Sequence, residues 1–406
     1  MVSTIRVPLR RTMTARDPHE PGRVATPLEL LFDLIFVVAI ASNAAQLHHG
    51  AASGHWETIV GYTMGWFAIW WAWVNYTWFA SAYDNQDLGF RLLSFVIMAG
   101  ALGLAAGVPQ VFEHGQSVAV VGGYAVMRLG LVGLWLRAAA GDPGRRRTAL
   151  LYAAGVTFVQ VLWIARLWVP DNWLILTFFA CVALELLVPA IAETRGGRTP
   201  FHPGHLADRY GAMTIIVLGE VILSAVQAVQ GAMAGGDGGE GGLTWSMAPL
   251  IVGGLLIVFA LWWFYFKAEH VELIQGQRTV WVFGYGHLPV FASVAAVGAG
   301  LASAVDVVQG EAQVGVRPVA LLLAVAIAVY AVSLAGLHVV SDGDWRGGVP
   351  AVVVAVLLLS VPFAGWSMGV SVLAMGLILA VAVAHHVWST NRPAAQPGQP
   401  AAQPAA

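Results

Sequence analysis

Leu28 to Leu47 reads L-E-L-L-F-D-L-I-F-V-V-A-I-A-S-N-A-A-Q-L. A run of about 20 mostly apolar residues is long enough to cross a bilayer as an α-helix. It nevertheless carries two carboxylates, Glu29 and Asp33, four residues apart and so on one helical face. A charge held in hydrocarbon costs about 2.5–3.5 kcal/mol even on lenient scales, so such residues are expected to face the inside of a helix bundle beside a partner. Glu29 also suits a plainer role as an acid at the positive end of the helix dipole. Asp33 lies one turn deeper, beyond that role.

Outward from this stretch the pattern repeats. Apolar runs follow at Ile59 to Phe79, Leu92 to Phe112, Val118 to Leu136, Ala149 to Trp168 and Trp173 to Ala192. Six more lie at Tyr210 to Val229, Met247 to Phe266, Val280 to Ala302, Val319 to Val339, Val349 to Trp366 and Val370 to Trp388. The expected fold is an all-α polytopic integral membrane protein of about twelve transmembrane helices. The least secure division is the last, where only Pro362 and the turn from Gly365 to Gly369 interrupt a near-continuous apolar stretch. Composition agrees: of 406 residues, 58% are hydrophobic and 10% charged, which excludes a string of soluble domains. The net charge of -2 provides no basic field for nucleic acid. A lone Cys181 permits no intrachain disulfide. Met1 to Gly22 has Arg6, Arg10, Arg11 and Arg16 but no apolar core, so it is not a cleavable signal peptide and the first span directs insertion.

With the N-terminus inside, all of the 20 basic residues except Arg128, Arg166 and Arg317 fall in segments on the cytoplasmic side, as the positive-inside rule requires. That orientation places both termini in the cytoplasm and the chain in the cytoplasmic membrane. The expected division is a basic tail (1–27), a first six-helix half (28–192), a cytoplasmic linker (193–209), a second six-helix half (210–390) and a disordered tail (391–406). The Gly-rich stretch from Gly231 to Gly242 becomes a flexible outside loop. A weak internal repeat supports two halves in parallel orientation: Trp56, Gly65, Trp73 and Tyr76 match Trp245, Gly254, Trp262 and Tyr265 at a constant offset. Glu29 then lies opposite Asp208. Chance similarity between aromatic-rich helices is the alternative reading.

Other residues out of place in a bilayer are Glu220 and Arg128, both central in their spans, and Glu185, just before Pro189. These, with Asp33, are candidates for a proton, ion or substrate site, or else form a buried polar network that fixes helix packing. Equal depth makes a Glu220 to Arg128 pair conceivable. His287, in G-Y-G-H-L-P-V, is a further titratable candidate, with a hydrogen-bonded structural imidazole as the plain alternative. Trp66 and Trp70 lie too deep for interfacial anchors; they pack the core or wall a cavity. GxxxG spacings at Gly61 to Gly65 and Gly103 to Gly107 permit close helix approach.

Catalytic and metal patterns are thin. G-W-S-M-G at Gly365 to Gly369 spells a nucleophile elbow but lacks the strand-turn-helix that an elbow needs. His202, His205 and Asp208 have a spacing that a metal could use, with no further ligand cluster behind it. Neither H-E-x-x-H nor a Walker A sequence occurs. No catalytic residue, metal or cofactor is assigned, and an enzyme is the less favoured class.

Two stretches, T-P-L-E-L-L-F-D-L-I-F-V-V-A-I (Thr26 to Ile40) and H-L-A-D-R-Y-G-A-M-T-I-I-V-L-G-E (His205 to Glu220), resemble the signatures of the bacterial low temperature requirement protein A family. The likeness extends to W-W-x-Y-F (Trp262 to Phe266) and G-H-L-P (Gly286 to Pro289). Where that family usually reads E-R-F-G, this chain has Asp208, Arg209, Tyr210 and Gly211, so the acidic-basic pair is kept with a shorter acid. The resemblance implies an integral membrane protein needed for growth in the cold, and supplies no mechanism.

Three readings stay open. The first is a secondary-transporter-like protein whose intramembrane carboxylates couple the movement of a small molecule or ion to protons or cations. The second is a membrane-embedded enzyme acting on a lipid or isoprenoid. The third is a non-catalytic sensor or scaffold. The lipid bilayer is the one partner common to all. Asp208 and Arg209, expected to open the seventh span, carry a specific expectation: Arg209 either reaches Glu29 or Asp33 on the other half, as a cytoplasmic gate, or snorkels to lipid phosphate.

Overall fold

The computed structural model describes residues 7–234, 245–267, 273–274 and 277–391. The expected loop centred on Gly231 to Gly242 and the 391–406 tail lie largely outside these residues. Twelve α-helices are present among the described residues: α1 (Pro27–Ser53), α2 (Thr58–Tyr83), α3 (Leu88–His114), α4 (Val118–Gly141), α5 (Arg146–Ala165) and α6 (Leu174–Gly196), then α7 (Pro203–Ala234), α8 (Ala248–Phe266), α9 (Gln277–Gln309), α10 (Val316–Asp342), α11 (Val349–Ser360) and α12 (Met368–Thr390). The chain is an all-α polytopic membrane protein.

Eleven helical stretches are long and apolar enough to cross a membrane. The one left out is α2, because Trp and Tyr count as nearly neutral on a hydropathy scale and α2 holds five of one and three of the other. It spans all the same. Its neighbours α1 and α3 both qualify, and the joining segments 54–57 and 84–87 are too short to bring the chain back by any other route. The expected break near Gly365 is real: α11 passes into a 3₁₀ turn at Val361–Phe363, Gly365 adopts φ 73°, and α12 starts at Met368. That places G-W-S-M-G in a hairpin between helices.

Local chemistry sets the helix starts. Thr26 and Glu29 form a reciprocal capping box at α1. Helix α7 begins at Pro203, well before the Tyr210 start expected from hydropathy. Proline suits the first helical turn, and the ring Nδ1 of His202 accepts from the His205 amide at 3.0 Å. Asp208 and Arg209 therefore sit inside α7 and do not open it.

Helix α1 is central, packing on α2, α3, α7 and α9. Helices α2 and α9 supply much of the interior: Trp66, Trp70, Trp71, Trp73 and Tyr76 are all buried. Small residues set the closest crossings. A Cβ on Gly123 of α4 would lie 2.3 Å from the Leu104 amide and 2.6 Å from the Gly100 carbonyl of α3, so this pair of helices meets backbone to backbone. The N-terminal tail lies across one end of the bundle. Arg11 N–H donates to Asp87 (2.9 Å), Arg16 N–H to the Ala82 carbonyl (2.8 Å), and the Arg23 guanidinium to the Ala80 and Ser81 carbonyls.

Candidate functional site

Among the described residues, two buried ionic clusters and two cavities stand out in the interior. The first cluster ties α1 to α7. Arg209 is fully buried and donates to Asp33 from Nε (3.0 Å) and Nη2 (2.5 Å) and to Glu29 from Nη1 (3.1 Å). The Asp33 carboxylate also accepts from the Trp73 indole at 2.7 Å. Glu29 accepts from the Thr26 amide and hydroxyl (2.8 and 2.9 Å), and His205 Nε2 lies 3.0 Å from it. Asp208 takes the Ala25 amide at 2.7 Å. His202, His205 and Asp208 thus serve three separate partners, and no group able to hold a metal occurs among the described residues. Snorkelling is ruled out for Arg209 by its burial.

Burial also acts at the edge of this cluster, outside the spans. Asp84, at the end of α2, is 2% exposed. Its carboxyl is pushed up to about 6 by burial, with the Glu29 charge adding to the effect. The guanidinium of Arg23 is drawn down to about 10, again chiefly by burial.

The second cluster lies among α2, α4, α5 and α6. Glu185 is buried and accepts from four donors: the Trp71 indole (2.9 Å), Arg128 Nη2 (3.1 Å), the Trp163 indole (3.2 Å) and the Tyr124 hydroxyl (3.3 Å). Arg128 also donates to the Tyr124 hydroxyl and lies over its ring, 4.4 Å from the centroid. The Arg128 partner is therefore Glu185, not Glu220. Equal depth in two helices says nothing about their rotation, and Glu220 is instead bonded by Ser224 one turn along α7 (2.8 Å).

The larger cavity, about 460 Å³, lies at the end of the bundle where α1 begins. Trp71, Val74, Asn75 and Trp78 of α2 line it, with Tyr152, Glu193, Trp281 and Tyr285 around them. Trp78, Trp281, Tyr285 and Trp71 form a near-parallel row with centroids 5.4–5.8 Å apart. Opposite, the Trp135 and Tyr152 rings stack at 4.1 Å. The Tyr152 hydroxyl and the Thr199 amide donate to the two oxygens of Glu193. A smaller cavity, about 70 Å³, lies toward the other end, lined by Met64, Gly65 and Ala68 of α2 and by Ser117, Tyr124, Trp163 and Arg166.

Residues 64, 68, 71, 75 and 78 alternate steps of four and three, so one face of α2 runs from the small cavity, past Glu185, to the large one. Of the two readings of Trp66 and Trp70, core packing describes their burial, and the wall of the larger cavity falls to Trp71 and Trp78. Trp66 and Trp70 line only a gap of about 10 Å³, and the Trp66 indole bonds the Leu288 carbonyl (3.2 Å). His287 packs among Tyr210, Phe283 and Phe291, with Nδ1 2.6 Å from the Phe283 carbonyl and Nε2 3.1 Å from the Tyr265 hydroxyl. Trp71, Tyr124, Trp163 and Arg166 escaped the sequence reading. Aromatics in spans are common, and an arginine at a span's end resembles an ordinary interfacial anchor.

A sequence model of the bacterial low temperature requirement A protein matches residues 24–387. The chain is also 27% identical over 282 residues to an uncharacterized protein of Rhizobium meliloti (strain 1021), a match covering 66% of each chain.

Proposed function

The chain belongs to the bacterial low temperature requirement A family, and from that premise we propose that it is a secondary-transporter-like membrane protein whose solute path runs along one face of α2, bordered by α4, α5, α6 and α9. One observation carries this reading. The Glu185 cluster stands between two cavities that open toward opposite ends of the same face of α2, and Trp71, Tyr124 and Trp163 each touch both Glu185 and a cavity. A path closed by one layer of hydrogen-bonded side chains is what alternating access needs at its occluded point. Arg128 and Glu185 offset each other's charge, so the layer is neutral while closed.

In this reading the positive-inside distribution sets the N-terminal tail and the large cavity on the cytoplasmic side of the cytoplasmic membrane. Part of the packing supports two parallel six-helix halves, although α8 packs closely on α12 with no equally close packing between α2 and α6. The contacts of α1 with α3, α3 with α4 and α4 with α5 recur as α7 with α9, α9 with α10 and α10 with α11. The Arg209 clamp joins the starts of α1 and α7 at one end. It is the ion pair that must open, or move as a unit, when one half rocks against the other.

The test uses protein reconstituted in vesicles loaded with a pH-sensitive dye and challenged with a library of small solutes and ions. The reading expects at least one solute to move protons or charge in the wild type and to fail in the variant carrying Glu185→Gln with Arg128→Met, which leaves no uncompensated charge. Single cysteines at 68 and 75, in a Cys181→Ala background, should react with an impermeant thiol reagent from opposite faces. Labelling of both from one face, or flux unchanged in the double variant, would overturn the path.

A further inference from the structure

Arg166 follows α5 directly, in a short 3₁₀ turn, and is 6% exposed. Its Nη2 donates to the Leu174 carbonyl at 2.9 Å, and its guanidinium carbon lies 5.7 Å from the Phe178 ring and 6.0 Å from Trp163. Its Nε has no hydrogen-bond partner, and no described carboxylate forms an ion pair with it. The other two deeply buried arginines, Arg128 and Arg209, each hold a carboxylate. A buried cation facing only a carbonyl and ring faces is undercompensated, since a charge out of water needs a counter-charge or several good acceptors.

Arg166 lines the small cavity. Ser117, the N-cap of α4, lines it too, and its hydroxyl accepts from the Val120 amide at 3.3 Å while donating to Gln110 Oε1 at 2.8 Å. The positive end of a 24-residue helix therefore meets the same space. Gln116 lines it as well, its buried Oε1 unpartnered; rotation of the amide turns its NH₂ to the cavity instead. From this convergence we infer that the small cavity is an anion site, in which Arg166, aided by the α4 N-terminus, holds the oxyanion of a small carboxylate or of a phosphate group. A volume of about 70 Å³ admits a group the size of acetate. The site is independent of the transport reading, because it binds whether or not the anion moves on past Tyr124.

The experiment is thermal unfolding of the full chain in an uncharged detergent, at constant ionic strength held with sodium gluconate, while sodium acetate replaces the gluconate. A saturable rise in melting temperature is expected for the wild type. Arg166→Gln removes the response and, having shed an unpaired buried charge, melts no lower than the wild type in gluconate alone. Ala68→Leu fills the cavity with the arginine in place and also removes the response, which covers the case in which Arg166→Gln fails to fold. A non-saturable response in the wild type, or an undiminished response in the variants, overturns the site. Repeating the titration in phosphatidylglycerol and phosphatidylcholine bilayers identifies the source. Loss of the acetate effect in both bilayers assigns the oxyanion to a lipid phosphate, and its retention assigns it to a free solute.

Discussion

Replacing Arg209 by Met tests the ionic clamp between α1 and α7. The guanidinium is fully buried and makes three charged contacts, at 2.5, 3.0 and 3.1 Å, to two carboxylates. At about 4 Å, two unit charges in a medium of effective dielectric near 20 attract by about 4 kcal/mol. Removing one member of a buried ionic cluster costs about 3–5 kcal/mol, mostly because the partner charges are left without compensation. Some support remains, from the Trp73 indole to Asp33 and from Thr26 to Glu29. Arg209→Met is accordingly expected to destabilise the protein by about 3–5 kcal/mol, read as the shift in unfolding by sodium dodecyl sulfate in mixed micelles followed by tryptophan fluorescence. Adding Glu29→Gln and Asp33→Asn removes every uncompensated charge, and Gln serves the capping box as well as Glu does. The triple variant should recover at least half of the loss. An Arg209→Met penalty below about 1 kcal/mol, or a triple variant weaker than the single one, would refute the argument.

Because burial lifts the Asp84 carboxyl to about 6, its folded form holds the proton more tightly than the unfolded chain does. Its contribution is then full below about pH 4 and is lost as pH rises through about 6. Wild-type stability minus that of Asp84→Asn, measured across pH 4–8, should fall by up to about 3 kcal/mol, and a flat difference would contradict the assignment. Gly123→Ala presses a methyl group onto the α3 backbone and should cost about 1–3 kcal/mol. Gly122→Ala, where a Cβ meets nothing within 4 Å, should be neutral or gain about 0.5–1 kcal/mol, by the same unfolding assay. Thr26→Ala removes the α1 cap and should lower stability by about 1 kcal/mol, a loss that Thr26→Ser should largely avoid.

The sequence was most legible where a residue contradicted its surroundings. Glu29, Asp33, Arg128 and Glu185 stand out as charges in apolar runs, because hydrocarbon tolerates few of them. The contact of Arg209 with Glu29 and Asp33 was open to reasoning too, since Arg209 lies in an apolar chain at the same membrane face as these two acids and a buried charge needs a partner. What could not be read was rotation. Arg128 meets Glu185 only because α4 and α6 turn those faces toward each other, and depth alone equally allowed Glu220. The same limit hid the lined face of α2: Trp66 and Trp70 share one stripe, Trp71 belongs to the next, and packing alone decides which of them borders open space. The early start of α7 was within reach, because Pro203 behind His202 is a helix-entry signal that a hydropathy window averages away.

The tryptophans of α2 bear on how the chain is made. A nascent segment is sorted by its affinity for lipid before its partners exist, and α2 offers lipid five indole N–H groups and three phenol hydroxyls that need partners. The short segments joining α2 to α1 and α3 hold it beside them. Its indole groups then wait for acceptors. Asp33 is already present for Trp73, but Glu185 arrives for Trp71 only with α6, and the Leu288 carbonyl for Trp66 only with α9. Between the synthesis of α2 and that of α9 the growing chain holds unpaired N–H groups inside the membrane, and in this interval slow translation or a missing lipid would most expose it to membrane quality control.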